Sequence, residues 1–201
     1  MVKLLLQHGA DPNAKTSRGD TPLHFAARHR DDLPTVKVLV AAGADVHARN
    51  SLGNTPLSGA AIMNRCAAGE YLIDHCGADV NTANMYGDTP LIETVQHNCV
   101  GFLELLLARG ARYDGVNYRG ETVLHTLALE GREETARVFI RLGMMRGVDV
   151  EKRNGEGRTA REVLGHRTGV RVGFREAFEE LVTIMVGTVD GETEDSSTEQ
   201  P

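Results

Sequence analysis

Short apolar segments alternate with polar turns along most of the 201-residue chain. The stretch 21–27, TPLHFAA, is apolar and rich in small residues, and a polar break separates it from the apolar stretch 36–40, VKVLV. Thr is a good helix N-cap, and Pro fits the first helical position because its missing N–H costs nothing there. The pattern predicts two short helices, the second ending at Gly43 as a left-handed C-cap. Neither helix can bury its apolar face alone, so neighbouring units must stack.

This two-helix pattern recurs along the chain in steps of 34, 34, 33 and 37 residues. Its copies are GDTPLHFAA from Gly19, GNTPLSGAA from Gly53, GDTPLIETV from Gly87, GETVLHTLA from Gly120 and GRTAREVLG from Gly157. An Asn precedes the Gly of the last four copies by three residues, at Asn50, Asn84, Asn117 and Asn154. Asn closes its own backbone in an Asx-turn, so a tight turn is expected before each helix pair.

The period of about 33 residues and the Thr-Pro-Leu-His-x-Ala signature resemble the ankyrin repeat family. The resemblance covers residues 1 to about 165 and implies an all-α fold, an ankyrin-repeat solenoid of stacked helix-turn-helix units with β-turn or hairpin tips. The predicted segments are a partial repeat at 1–15, repeats at 16–49, 50–83 and 84–116, a repeat with a loop insertion at 117–153, a degenerate capping repeat at 154–186 and a disordered acidic tail at 187–201.

The two ends of the array depart from the repeat. Residues 1–15 contain only the second helix and tail of a repeat, so we expect the chain to be a fragment of a longer protein or a truncated gene model. In the capping repeat, apolar residues at helical spacing predict a longer closing helix. They are Phe174, Phe178, Leu181, Val182 and Met185.

Charge is uneven along the chain, whose formal net charge is −6. Residues 187–201 hold five acids and no base, which leaves 22 bases against 23 acids, or −1, for the rest. This balanced body has no general electrostatic footprint for nucleic acid, so no direct nucleic-acid binding is expected. No apolar run approaches the ~20 residues of a membrane helix, so no membrane insertion is expected.

A basic stretch at 146–175 precedes the acidic tail. It is either an ordinary solvated surface followed by a disordered tail, or a partner site that the tail folds back to mask.

Cys66, Cys76 and Cys99 are too irregularly spaced for a disulfide framework. A reducing compartment is therefore expected, with a cytoplasmic or nuclear location.

No catalytic constellation is evident. The Walker, nucleophile-elbow and zincin motifs are absent, so we expect no enzyme activity and no cofactor. His24 and His125 occupy the same place in two repeats. The resemblance implies that each braces its turn through hydrogen bonds, and lying three repeats apart they cannot share a metal ion. No metal site is expected.

The resemblance also implies that the turn tips and the exposed side of the first helices form a concave surface that binds partner proteins. Tyr, Met and Arg are enriched in protein interface cores. The candidate partner-binding residues are Arg18, Leu52, Met85, Tyr86, Tyr118 and Arg119 at the tips, and Met63 and His97 on the helices. Alternatively, some tip side chains only pack along the row of tips and stiffen it.

The sequence thus favours a non-catalytic protein–protein interaction module, a scaffold or adaptor, acting as a monomer or as part of a larger chain. Two alternatives stay open. One is a targeting domain of a larger enzyme or signalling protein. The other is a transcriptional co-regulator that binds and masks a transcription factor.

Overall fold

The computed structural model describes residues 1–29, 32–144 and 148–187. Within these ranges the chain forms eleven α-helices and no extended strands. They are α1 Val2–Gln7, α2 Pro22–Arg28, α3 Leu33–Ala41, α4 Pro56–Ile62, α5 Cys66–Asp74, α6 Pro90–Gln96, α7 Val100–Ala108, α8 Val123–Glu130, α9 Glu133–Arg141, α10 Ala160–His166 and α11 Val172–Gly187. The predicted acidic tail beyond Gly187 and residues 145–147 of the predicted loop insertion lie outside the described residues.

The helices form two stacked layers. The even-numbered helices α2 to α10, here called the inner helices, pack each on the next. The odd-numbered helices α1 to α11, the outer helices, form the second layer in the same order. Helices α2, α4 and α6 each pack against the outer helix that follows them through a short connection. The all-α solenoid predicted from the repeat is confirmed.

Each inner helix begins directly after a Thr, as the sequence pattern predicts. In α8, for example, Thr122 Oγ1 accepts a hydrogen bond from the backbone N–H of His125 at 3.3 Å. This satisfies one of the backbone donors that every helix start leaves free. In α2, α4 and α6 the next residue is Pro, which has no N–H to satisfy.

One hydrophobic core runs through the whole stack from Leu23 to Met185. The second residue after the capping Thr is a buried Leu in four repeats, at Leu23, Leu57, Leu91 and Leu124. Buried Phe102 and Phe139 fill the outer layer. Because the core is continuous, each repeat stabilises its neighbours, as expected for a quasi-one-dimensional array.

The predicted closing helix corresponds to α11, which packs against α9. Its five predicted apolar residues, from Phe174 to Met185, are buried. Arg167 joins this cap to α8, because its guanidinium donates hydrogen bonds to the carbonyl oxygens of Ala128 and Gly131 at 3.3 and 3.0 Å. The same guanidinium lies over the ring of Phe174.

Candidate protein-binding surface

The turn before each inner helix is closed by one polar side chain. In the second full repeat, Asn50 Oδ1 accepts hydrogen bonds from the backbone N–H groups of Leu52 and Asn54, both at 3.0 Å. Asn84, Asn117 and Asn154 repeat this arrangement. Thr16 replaces Asn in the first repeat, where its Oγ1 accepts the two equivalent bonds. The turns predicted from the Asn spacing are confirmed.

Backbone hydrogen bonds join each tip to the next. The donor is the residue after the turn Asn, and the acceptor is the residue before the Gly of the preceding tip. The four bonds run from Ser51 N–H to Arg18 O at 2.8 Å, from Met85 N–H to Leu52 O at 2.8 Å, from Tyr118 N–H to Tyr86 O at 3.0 Å, and from Gly155 N–H to Arg119 O at 2.7 Å. The tips therefore form a single edge with fixed spacing.

Glycine is required where tips meet this closely. Gly87 has φ +79°, in the left-handed region, and a Cβ there would lie 2.8 Å from the backbone nitrogen of Tyr118. The ring of Tyr118 rests over the same glycine, with Cδ1 2.9 Å from that position. The close packing of backbone at this point leaves the rest of the Tyr118 ring in solvent.

The predicted tip residues lie side by side on this edge. We call the set Arg18, Leu52, Met85, Tyr86, Tyr118 and Arg119 the tip face. Their exposed fractions are 44% for Leu52, 51% for Met85, 48% for Tyr86 and 80% for Tyr118. Arg18 and Arg119 are exposed as well. The structure thus brings six of the eight predicted residues into one row.

The other two predicted residues lie away from this row. Met63 and His97 follow the last residues of α4 and α6 and are exposed. A seven-residue helix rises by about 10 Å, so roughly that length of inner helix separates them from the tips. A partner that contacted both sets would have to cross the inner-helix layer.

His24 and His125 link neighbouring repeats. Nε2 of His24 donates to the carbonyl oxygen of Asn54 at 3.0 Å, and Nδ1 accepts from the backbone N–H of Thr21 at 3.1 Å. His125 makes the same bonds to Arg158 O and Thr122 N–H, at 3.0 and 3.3 Å. Because carbonyl oxygens only accept, Nε2 carries the hydrogen and both ring nitrogens are occupied. Burial lowers the pKa of His24, which favours this neutral ring. Each His braces its turn, as the resemblance implies.

Glu93, in α6, is an unusual buried acid that was not among the residues predicted from the sequence. It is the fourth residue after its capping Thr, a position that other repeats fill with Phe25, Gly59, Thr126 and Val163. Its side chain is 3% exposed, and burial raises its pKa to about 8, the Asp88 charge adding to the rise. A hydrogen bond from the Asn84 amide to Glu93 Oε1, at 3.1 Å, acts in the opposite direction. The signal was present in the repeat alignment, as an acid at an otherwise uncharged position.

Glu93 also breaks a pattern of side-chain bonds between tips. Asn50 Nδ2 donates to Asp20 of the preceding tip at 2.8 Å, and Asn117 Nδ2 donates to Asp88 at 2.9 Å. In the repeat between them, Asn84 donates to Glu93 instead. Among the described residues, Asn54 Oδ1 and Glu93 Oε2 are then buried without a hydrogen-bond partner.

Three arginines in the described part of the basic stretch 146–175 form ion pairs. Arg153 pairs with Glu162 at 2.9 Å, Arg158 with Glu156 at 2.5 Å and Arg161 with Glu179 at 3.0 Å. Arg146 and the acidic tail lie outside the described residues, so masking of a basic site by the tail stays a prediction.

The described part of the chain contains no group of three metal-ligating side chains. Nor does any helix there combine the length and apolar character needed to cross a bilayer.

Comparison with known proteins agrees with this architecture. The family described as "Ankyrin repeats (3 copies)" matches residues 1–84 and 30–117, which together span more than half of the 201 residues. A segment of 29 residues is 59% identical to a protein of Pyrobaculum aerophilum that is named as an ankyrin repeat protein. The segment makes up 14% of this chain and only 11% of that relative's length. With its matched profile, stacked helix pairs and capped inner helices, the chain belongs to the ankyrin repeat family.

Proposed function

We propose that the chain is a non-catalytic scaffold or adaptor that binds a partner protein through the tip face and the exposed ends of the inner helices. One observation carries the proposal: the tip face displays Leu52, Met85, Tyr86 and Tyr118 in solvent on a backbone edge that hydrogen bonds already hold rigid. A preorganised backbone loses little conformational entropy on binding. Tyr is also among the residue types that dominate binding energy in interfaces, and Met is enriched in interface cores.

Membership of the ankyrin repeat family supports the proposal, because ankyrin repeats are generally protein–protein interaction modules.

We extend the proposal to a cytoplasmic or nuclear location. The three cysteines are free thiols, of which Cys99 is buried, and this use of Cys suits a reducing compartment.

Affinity capture tests the proposal with three forms of the chain: wild type, Tyr86→Ala/Tyr118→Ala and a control, Val172→Ala/Ile184→Ala. The control truncates two exposed apolar residues of α11, which are not part of the tip face. We expect a partner retained by wild type and control to bind the Tyr variant at least about tenfold more weakly, as for interface hot spots.

Circular dichroism and thermal unfolding must first show that all three forms are folded, because unfolding would imitate a loss of binding. If every captured partner binds the Tyr variant as tightly as wild type, the tip face is not the recognition surface. A partner that is lost equally from the control would contradict the proposal in the same way.

A further inference from the structure

A cavity of about 410 Å³ opens between the first two full repeats, next to the tip face. Arg18 and Leu52 belong to both the tip face and the cavity wall. The rest of the wall includes Arg28 from the end of α2, and Gly59 and Ile62 from α4. The cavity therefore connects the turn tips with the inner-helix layer.

Gly59 makes room for the cavity's basic side chain. A Cβ at this position would lie 2.7 Å from Cγ of Arg28, so the stem of Arg28 crosses the inner helix where the glycine leaves space. The equivalent residues all carry side chains, of which Glu93, Thr126 and Val163 are buried and Phe25 is exposed. This opening is thus a property of the second full repeat and not of the repeat pattern.

The accessible charge in the cavity wall is positive. Within the described ranges, neither Arg18 nor Arg28 forms an ion pair, whereas Arg153 and Arg161 of the basic stretch do. Asp20 also lines the cavity, but its carboxylate is buried and accepts a hydrogen bond from the Asn50 amide at 2.8 Å. Two guanidinium groups remain available beside the apolar surfaces of Leu52 and Ile62.

We propose that this cavity binds an Asp or Glu side chain of an extended partner segment, with a neighbouring apolar side chain of that segment against Leu52 and Ile62. Guanidinium groups bind carboxylates through paired, charge-assisted hydrogen bonds, and two arginines that form no ion pair with the described residues are complementary to one such anion. The inference rests on the proposed function and adds the chemical class of the segment that is recognised.

Selection from a library of random 12-residue peptides tests this, using the full chain as wild type, Arg18→Gln/Arg28→Gln and the control Arg171→Gln/Arg175→Gln. The control removes the same charge from two exposed arginines near and on α11 that form no ion pair within the described part of the chain. We expect wild type and control to enrich peptides with Asp or Glu beside Leu, Ile or Phe. A synthetic peptide of this kind should bind the Arg18→Gln/Arg28→Gln variant at least about tenfold more weakly than wild type, because charge-assisted hydrogen bonds are lost.

Two further measurements separate this contact from a general charge effect. Replacing the peptide's acid with its amide should weaken binding to wild type about as much as the two Arg substitutions, and the two changes together should not add. Gly59→Ala keeps every charge and adds a methyl group against the Arg28 stem, so it should also weaken binding while favouring the helix.

Three results would overturn the inference. Wild type enriches no acidic peptide, or the control loses as much affinity as the Arg18→Gln/Arg28→Gln variant. The third is that the losses add when the peptide's amide is combined with the two Arg substitutions. Stronger binding of a synthetic peptide of residues 188–201 than of any selected peptide would assign the cavity to the chain's own acidic end and reject a partner segment. If a captured partner is lost on Tyr86→Ala/Tyr118→Ala but kept on Arg18→Gln/Arg28→Gln, the proposed function stands and this inference fails.

Discussion

At the scale of single residues, the buried carboxyl of Glu93 couples folding to pH. Its carboxyl is buried with one hydrogen bond, from Asn84, while Oε2 has no partner among the described residues. The folded state holds the Glu93 proton up to a pKa of about 8, whereas an unfolded chain releases it near the ordinary value of 4.5. Folding is therefore coupled to proton uptake, and the contribution of Glu93 to stability falls as pH rises from 4.5 to 8.

Glu93→Gln should stabilise the protein at pH 8 by about 1 to 3 kcal/mol and have little effect at pH 4.5, because the amide keeps the acceptor for Asn84 and removes the buried charge. Urea unfolding at both pH values measures the difference. Glu180→Gln, at an exposed position of α11, is the matched control and should shift stability little at either pH. A gain from Glu93→Gln that is equal at the two pH values would contradict the assigned cause.

At the scale of single elements, the turn tips differ in the number of hydrogen bonds that the side chain of the turn Asn forms. Asn117 is buried and makes four side-chain hydrogen bonds, to Arg119 N–H, Glu121 N–H, Asp88 Oδ1 and Glu121 Oε2. Asn154 makes the two backbone bonds, to Glu156 and Arg158, with no described partner for its Nδ2. The same turn is thus built with different strength in two repeats.

Asn117→Ala should lower the free energy of unfolding by about 2 to 4 kcal/mol, and Asn154→Ala by about 1 kcal/mol, since each lost buried bond costs of this order. Thermal or urea unfolding of the two variants beside wild type compares them directly. Equal losses would mean that the two bonds from Asn117 Nδ2, to Asp88 and to Glu121, contribute nothing.

Local chemistry accounts for what could be predicted of these elements. Thr21 caps a helix and Asn50 closes a turn through bonds to their own neighbours in sequence, so their roles are visible in a single repeat. The exposure of Tyr118 also follows from its place at a turn tip. The cavity beside Gly59 could not be predicted this way, because it depends on side chains that face each other across two repeats. Glu93 stands out in the repeat alignment as an acid, but its burial does not follow from its neighbours in sequence.

At the scale of the whole molecule, stability is shared along one axis. Helix α6 packs between α4 and α8, so Leu91 contributes to a core that extends on both sides. Helix α2 packs on α4 and on its own outer helix α3, and Leu23 is equally buried there. In such arrays the total stability is a sum of repeats and of the interfaces between them.

Leu91→Ala should therefore cost more than Leu23→Ala, about 3 to 5 against about 2 to 3 kcal/mol, because the cavity it leaves disturbs two interfaces between inner helices. Equilibrium unfolding in urea, followed by circular dichroism, gives both values. Equal costs, or a larger cost for Leu23→Ala, would show that the interfaces are not coupled in this way.

The four backbone bonds between tips use main-chain atoms alone. Leu52, Met85, Tyr86 and Tyr118 can consequently be exchanged for other side chains without changing the frame that presents them. Proline is the exception, because it has no N–H to donate. At Ser51, Met85, Tyr118 and Gly155 it would remove a bond between tips, and at Leu52 or Tyr86 it would remove a bond to the turn Asn. Sequence change in these side chains is thus separated from the requirement to fold.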